Sequence, residues 1–189
     1  MDETQCLLCQ NQPKLVPHQL CTHCDEKFRR EHVIDGEAAL YGLSARMAIQ
    51  KIIEDADNPA FVEQRAWHRR RIAFLCDCIV LALNDGFFYP VPQQSIQNLT
   101  DMASAVWLTD NHASRFVDIW KELQTLYPPE KLTSEQQRAR EILELLLSSP
   151  DDLYLFEIPD IIGEFFHENV WVQLFRKHFP DVIQQWVAR

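Results

Sequence analysis

The chain has 189 residues and a formal net charge of −10, with 47% hydrophobic and 11% aromatic residues. That is enough apolar material for a sizeable core and excludes a disordered chain, while only four glycines in the whole length disfavour a turn-rich all-β fold. The acidic balance weighs against the whole protein wrapping a phosphate backbone, because like charges repel.

No apolar run approaches the roughly 18 residues of a membrane span. The longest, Ile72 to Leu83, is interrupted by Asp77. Nothing at Met1-Asp2-Glu3-Thr4 resembles a signal peptide, so a reduced, cytoplasmic protein is expected. Length and patterning predict a mainly α protein in two parts: a small four-cysteine module at residues 1–35 and an all-helical domain at 36–189.

The module carries the strongest chemical signal. Cys6-Leu7-Leu8-Cys9 and Cys21-Thr22-His23-Cys24 are two C-x2-C pairs separated by eleven residues. Two residues between sulfurs let the backbone turn so that both thiolates face one ion, and two such pairs close a tetrahedral shell of the kind that holds structural zinc. The segment between the pairs contains Pro13 and Pro17 and no continuous apolar run. It has little means of folding alone, so metal binding must supply much of its folding energy. Cys6, Cys9, Cys21 and Cys24 are therefore the expected ligands of one Zn2+. Disulfides need an oxidising compartment, and a redox C-x2-C needs a βαβ setting that the sequence lacks. His23 lies between two ligands and cannot easily join the same shell; His18 could replace a cysteine.

Those two motifs, with Leu20 before the second and Asp25-Glu26-Lys27-Phe28 trailing it, resemble the small four-cysteine ribbon at the N-terminus of ComF-type DNA-uptake proteins. The resemblance covers about the first thirty residues. ComF-type proteins continue into a phosphoribosyltransferase domain, and no strand or acidic signature of that domain follows Gly36, so the resemblance implies the metal module without the transferase activity.

Beyond the module, Asp25–His32 reads as a short helix with Asp25 as its cap. Residues 37–56 show apolar positions at Leu40, Leu43, Met47, Ile49, Ile52 and Ile53, near helical spacing. Asn58-Pro59 predicts the start of a helix reaching about Leu83. Its second half, Ile72–Leu83, is apolar nearly all round, which places it at the centre of the body. An aromatic loop, Phe87–Pro92, follows. Further helices are expected at 95–108, 112–127 and 134–147, the last opened by a capping box at Ser134-Glu135-Gln136-Gln137. Residues 151–157 read as a short helix or extended piece, and helices at 160–177 and 181–187 close the chain.

Three further stretches invite chemistry. Cys76-Asp77-Cys78 lies on a helix, where residues two apart point about 200° apart and cannot share an ion; buried apolar cysteines are expected instead. Glu164–His167 is half of a di-iron motif without a second half, and His167-Glu168 lacks the second histidine of a zinc protease. The run Arg65-Ala66-Trp67-His68-Arg69-Arg70-Arg71 is basic in an acidic chain: residues 36–75 carry +1 and residues 76–189 carry −9. These cations either pair with Glu54, Asp55, Asp57 and Glu63 or with the acidic C-terminal helices, or join Lys14, Lys27, Arg29 and Arg30 in a positive surface. The second case predicts a partner-binding surface made of Lys14, Lys27, Arg29, Arg30, Arg65, His68, Arg69, Arg70 and Arg71. The sequence thus points to a non-enzymatic zinc-binding interaction protein in a nucleic-acid-handling complex, with a protein partner and nucleic acid reached through residues 14–71. The alternative is an enzyme with a pocket between helices and no motif.

Overall fold

The computed structural model describes residues 4–15, 19–34, 43–56, 64–107, 113–147, 156–162 and 168–189, of which 75% are helical. The expected all-α architecture is observed. Among the described residues there are nine α-helices, one 3-10 turn and no strand, and none of these helices is long and apolar enough to cross a membrane. The chain forms two compact units. One comprises residues 1–62 and 166–189, the other residues 63–165. The four-cysteine segment thus shares its unit with helices from both ends of the expected 36–189 domain.

In the first unit, α1 (Thr22–Glu31) is followed by α2 (Ala45–Ala56). The C-terminal pair α8 (Glu168–His178) and α9 (Pro180–Ala188) completes it. Helix α2 buries Ala45, Ala48, Ile49, Ile52 and Ile53, an i, i+3, i+4, i+7, i+8 stripe that one face of a helix must present. Met47, expected on that stripe, is exposed instead. The stripe packs against α8 and α9, where Trp171, Val172, Phe175, Ile183 and Trp186 are buried. Ser44 caps α2 by accepting the Met47 N–H at 3.1 Å, and Glu168 Oε1 accepts the Arg46 N–H at 2.9 Å. The Arg46 guanidinium also lies 5.0 Å from the centre of the Trp171 ring.

Helix α1 begins earlier than the sequence suggested. Cys21 is its N-cap residue, with extended backbone, and Thr22 its first residue. Asp25 therefore sits inside the helix, where its carboxylate accepts from Arg29 at 2.8 Å. His32 follows the last turn, stacked on Phe28 at 4.1 Å and bonded to Asp55 at 2.8 Å, which ties α1 to α2.

The second unit contains α3 (Gln64–Asn84), α4 (Gln93–Trp107), α5 (Ala113–Leu126), the 3-10 turn Pro129–Lys131, α6 (Ser134–Leu147) and α7 (Glu157–Ile162). Helix α3 packs against α4, α6 and α7, and so is central as expected. Ile72, Phe74, Leu75, Cys78, Ile79, Ala82 and Leu83 are buried, whereas Ala73 is exposed and Cys76, Asp77, Val80 and Leu81 are half-buried. The apolar run is thus wetted along one side, a correction to the all-round burial expected. Its C-terminus closes as a Schellman motif: Phe87 N–H donates to Ala82 O and Gly86 N–H to Leu83 O, with Gly86 at φ 80°. The aromatic loop is pinned through buried Phe88, whose carbonyl accepts from Tyr127 Oη at 3.1 Å, while Tyr89 is exposed.

Helix α6 has the expected bounds, but its capping box is one residue earlier. Thr133 Oγ1 accepts the Gln136 N–H at 3.2 Å and Gln136 Oε1 accepts the Thr133 N–H at 3.0 Å. The helix expected at 160–177 is described as two pieces, α7 and α8, belonging to different units. Asp160 is within α7 and begins no helix. Residues 37–42, Asn58-Pro59 and 151–155 lie outside the described residues.

Candidate metal centre

The head is a tight double turn held by its own backbone. Cys6 N–H donates to Gln12 O at 2.8 Å, Leu7 N–H to Gln19 O at 2.9 Å, Gln10 N–H to Cys6 O at 2.9 Å and Leu15 N–H to Leu20 O at 2.7 Å. A single bridge pairs Gln5 with Pro13. Gln10 and Gln19 stand at φ 61° and 55°, in the left-handed region that side chains disfavour. One follows the first cysteine pair and the other precedes the second, so each reverses the chain where a pair must turn inward.

The consequence is convergence. The sulfurs of Cys6, Cys9, Cys21 and Cys24 all lie within 4.8 Å of one another. Cys9 and Cys21 are 3.7 Å apart, far beyond a disulfide bond and close to the edge of about 3.8 Å that a tetrahedron of bonds near 2.3 Å implies. Cys6, Cys21 and Cys24 are buried and Cys9 is partly exposed. These four cysteines could hold a metal ion. A closed set of four sulfur donors suits a soft or borderline divalent cation and leaves no position for a reacting water.

The thiols of the quartet also perturb one another. A hydrogen bond from Cys24, against the opposing effect of burial, draws the Cys6 thiol well below its ordinary value, helped by the amides of Cys9, Cys21 and Leu8. The same bond, with burial and the charge on Cys6, pushes Cys24 up; burial does the same to Cys21. The sulfurs compete for one another's protons, a conflict that a divalent cation resolves by stabilising all four thiolates.

A residue that sequence reasoning missed completes the surroundings. Arg176, near the end of α8, donates through Nη2 at 2.8 Å and Nε at 3.3 Å to the Leu7 carbonyl, and through Nη2 to the Leu8 carbonyl. Burial lowers its pKa, and the nearby Cys6 and Cys9 act in the opposite sense. Its sequence context, Arg176-Lys177-His178 in the last turn of a helix, suits the negative end of the helix dipole. No local signal could connect it to a motif 168 residues earlier.

The cations expected to form a basic surface differ in their surroundings. Lys27 is buried, with Nζ donating to the Trp186 carbonyl and lying 4.5 Å from the centre of that ring. Lys14 Nζ donates to Gln19 Oε1 at 2.9 Å and Arg29 is paired with Asp25, while Arg30 is exposed. On α3, His68 bonds the Trp107 carbonyl at 3.3 Å, Arg70 lies over Trp67 at 5.3 Å, Arg71 is half-buried and Arg69 is exposed. The side chain of Arg65 lies outside the described residues. The two groups of cations belong to different units. Asp55 is bonded to Lys51 and His32, and Glu54 lies 3.6 Å from Lys51, so these acids have partners within their own unit.

Of the other candidates, Cys78 is buried and Cys76 half-buried, and neither belongs to the converging quartet. Burial pushes the Cys76 thiol up to about 11, against a hydrogen bond with Ser104. His18, Glu164 and His167 lie outside the described residues, and Glu168 caps α2. The fold and site together define an all-α protein with an N-terminal four-cysteine cluster able to hold a metal ion. Comparison with protein families, with curated proteins and with solved structures gave no match, so the likeness to a ComF-type ribbon stands on the four cysteines alone.

Proposed function

We propose that Cys6, Cys9, Cys21 and Cys24 bind one structural Zn2+, with residues 1–35 as the metal-binding module. On this reading the zinc-organised head makes the protein a non-enzymatic interaction factor with a protein partner, acting as a subunit or regulator of a nucleic-acid-handling complex. One observation carries the metal: four sulfurs brought within 4.8 Å of one another by two strained turns. A closed shell of four thiolates supplies folding energy, not a reaction site. A protein partner is favoured over a bare phosphate backbone because Lys27 is engaged internally, Arg29 is ion-paired and the net charge is −10. Among the described residues of the expected surface, Arg30 on α1 and Arg69 on α3 are exposed and available to such a partner.

Metal analysis and a paired capture experiment test this. Purified protein should carry one zinc per chain, and Cys9→Ser should lose it. A stoichiometric protein partner should be captured equally with and without nuclease. Zinc absent from the wild type, or retained when all four cysteines are replaced, sinks the metal assignment. Capture abolished by nuclease would make nucleic acid the primary partner.

A further inference from the structure

Three polar ties run from the head and α1 to the C-terminal helix pair, and together they do more than pack two elements. Arg176 grips the Leu7 and Leu8 carbonyls, which are the two residues between the first pair of ligands. Lys27, three residues after Cys24, bonds the Trp186 carbonyl, and Trp186 Nε1 donates to Glu31 Oε2 at 2.7 Å. We propose that metal binding at the cysteine quartet is thermodynamically coupled to docking of the α8–α9 pair, with Arg176 as the positioning residue that links them. The inference rests on the zinc reading above and extends it to how the site is regulated: a partner that pulls on the C-terminal helices changes metal affinity, and metal loss releases those helices.

The physical case has two parts. A divalent ion with four thiolates is a dianion, and its burial is costly unless positive charge lies nearby. Arg176 supplies a guanidinium there, bonded to the two carbonyls between Cys6 and Cys9. Its planar fork also fixes the two carbonyls between those ligands, which sets the direction in which both sulfurs point. Groups that orient metal ligands from behind typically change affinity 10- to 100-fold when removed. Coupling of this kind is reciprocal: whatever the metal contributes to helix docking, docking contributes to metal retention.

The test uses the full chain and Zn2+ or Co2+ as the probe. Competition against a chromophoric chelator should show Arg176→Gln binding Zn2+ about 10-fold or more weakly than wild type. Arg176→Lys, which restores charge but not the fork, should recover part of that loss. The thiolate-to-metal absorption of the Co2+ form should shift in Arg176→Gln, a change that looser packing alone does not produce. Independently, chelating the metal from wild-type protein should speed amide exchange in residues 168–188 as well as 4–34, and leave residues 64–107 and 134–147 unchanged. Wild type binding zinc while Arg176→Gln matches its affinity, or exchange at 168–188 unmoved by chelation, overturns the coupling and leaves the zinc reading intact. A wild type that takes up no zinc overturns both.

Discussion

At the scale of single residues, the six cysteines divide by environment. Four converge on one point, while Cys76 and Cys78 are held within α3. Thiol labelling should reflect that division. Metal-loaded native protein should react slowly, chelation should release four thiols, and denaturation should bring the total to six. Finding all six after chelation alone would contradict the assignment. Burial raises both the Cys76 thiol, from 9.0 to about 11, and the Tyr127 hydroxyl from its ordinary 10.0. Each group is kept protonated by the fold, while in the unfolded chain it ionises at its ordinary value. Their contribution is therefore fully present below about pH 9 and declines as pH rises through the Cys76 value. Chemical denaturation should show stability falling between pH 9 and 11, with a shallower fall in Cys76→Ala. The convergence of four cysteines able to hold an ion was legible from spacing alone, because that chemistry needs only residue type and register. Arg176 was not legible, since its role depends on where α8 returns, and a guanidinium at a helix terminus has an ordinary local explanation.

At the scale of elements, periodicity identified most helices, and the departures have local causes. Helix α1 starts at Thr22 because Cys21 already holds the extended conformation of a cap, which left Asp25 free to pair with Arg29. Although Ser134 and Gln137 offer the same spacing, the α6 box uses Thr133, with Gln136 reaching back to the amide of its own cap. The two thus behave as a reciprocal pair, and Thr133→Ala should cost about 1 kcal/mol by denaturant unfolding. The wetted side of α3 is not legible in the sequence because alanine, cysteine and valine tolerate partial exposure without breaking an apolar pattern. Its buried side is exacting. Phe74 is fully buried, with its ring edge-on to Phe156 at a centroid distance of 6.1 Å. Phe74→Ala should destabilise by roughly 3–5 kcal/mol, and a loss under 1 kcal/mol would mean that α3 is not central.

At the scale of the molecule, the units described by packing cut across the order of the chain. The first closes its ends together: residues 1–62 fold with residues 166–189. Sequence patterning could not show this, because periodicity reports which face of a helix is buried but not which helix covers it. Charge was legible as a total and not as the surroundings of each cation. Lys27 and Arg70 are cations by composition, yet both lie over tryptophan rings. Reversal mutations should separate them. Arg69→Glu should change stability within about 0.5 kcal/mol, whereas Arg70→Glu should lose the roughly 0.5–1 kcal/mol of an exposed ring contact. If Arg69→Glu weakens capture of a partner without lowering the melting temperature, the exposed cation belongs to an interface. Salt dependence of that capture then reports how many charges are neutralised.

Cys21 at the N-cap of α1 and Cys24 in its first turn have a consequence for how that helix forms at all. Starting a helix requires several residues to be fixed for a single hydrogen bond, and isolated helices under about 12–15 residues are marginal in water. Helix α1 has ten. On the proposed metal reading, an ion gathering two sulfurs across its opening turn would fix those residues beforehand and so lower the cost of nucleation. Anionic sulfur is also favoured at the positive end of the peptide dipoles. The spacing of the second cysteine pair is in this sense a template for helix initiation. Without it, residues 22–31 should lose their helical chemical shifts together, and Lys27, Phe28 and Glu31 would no longer be presented on one rigid face.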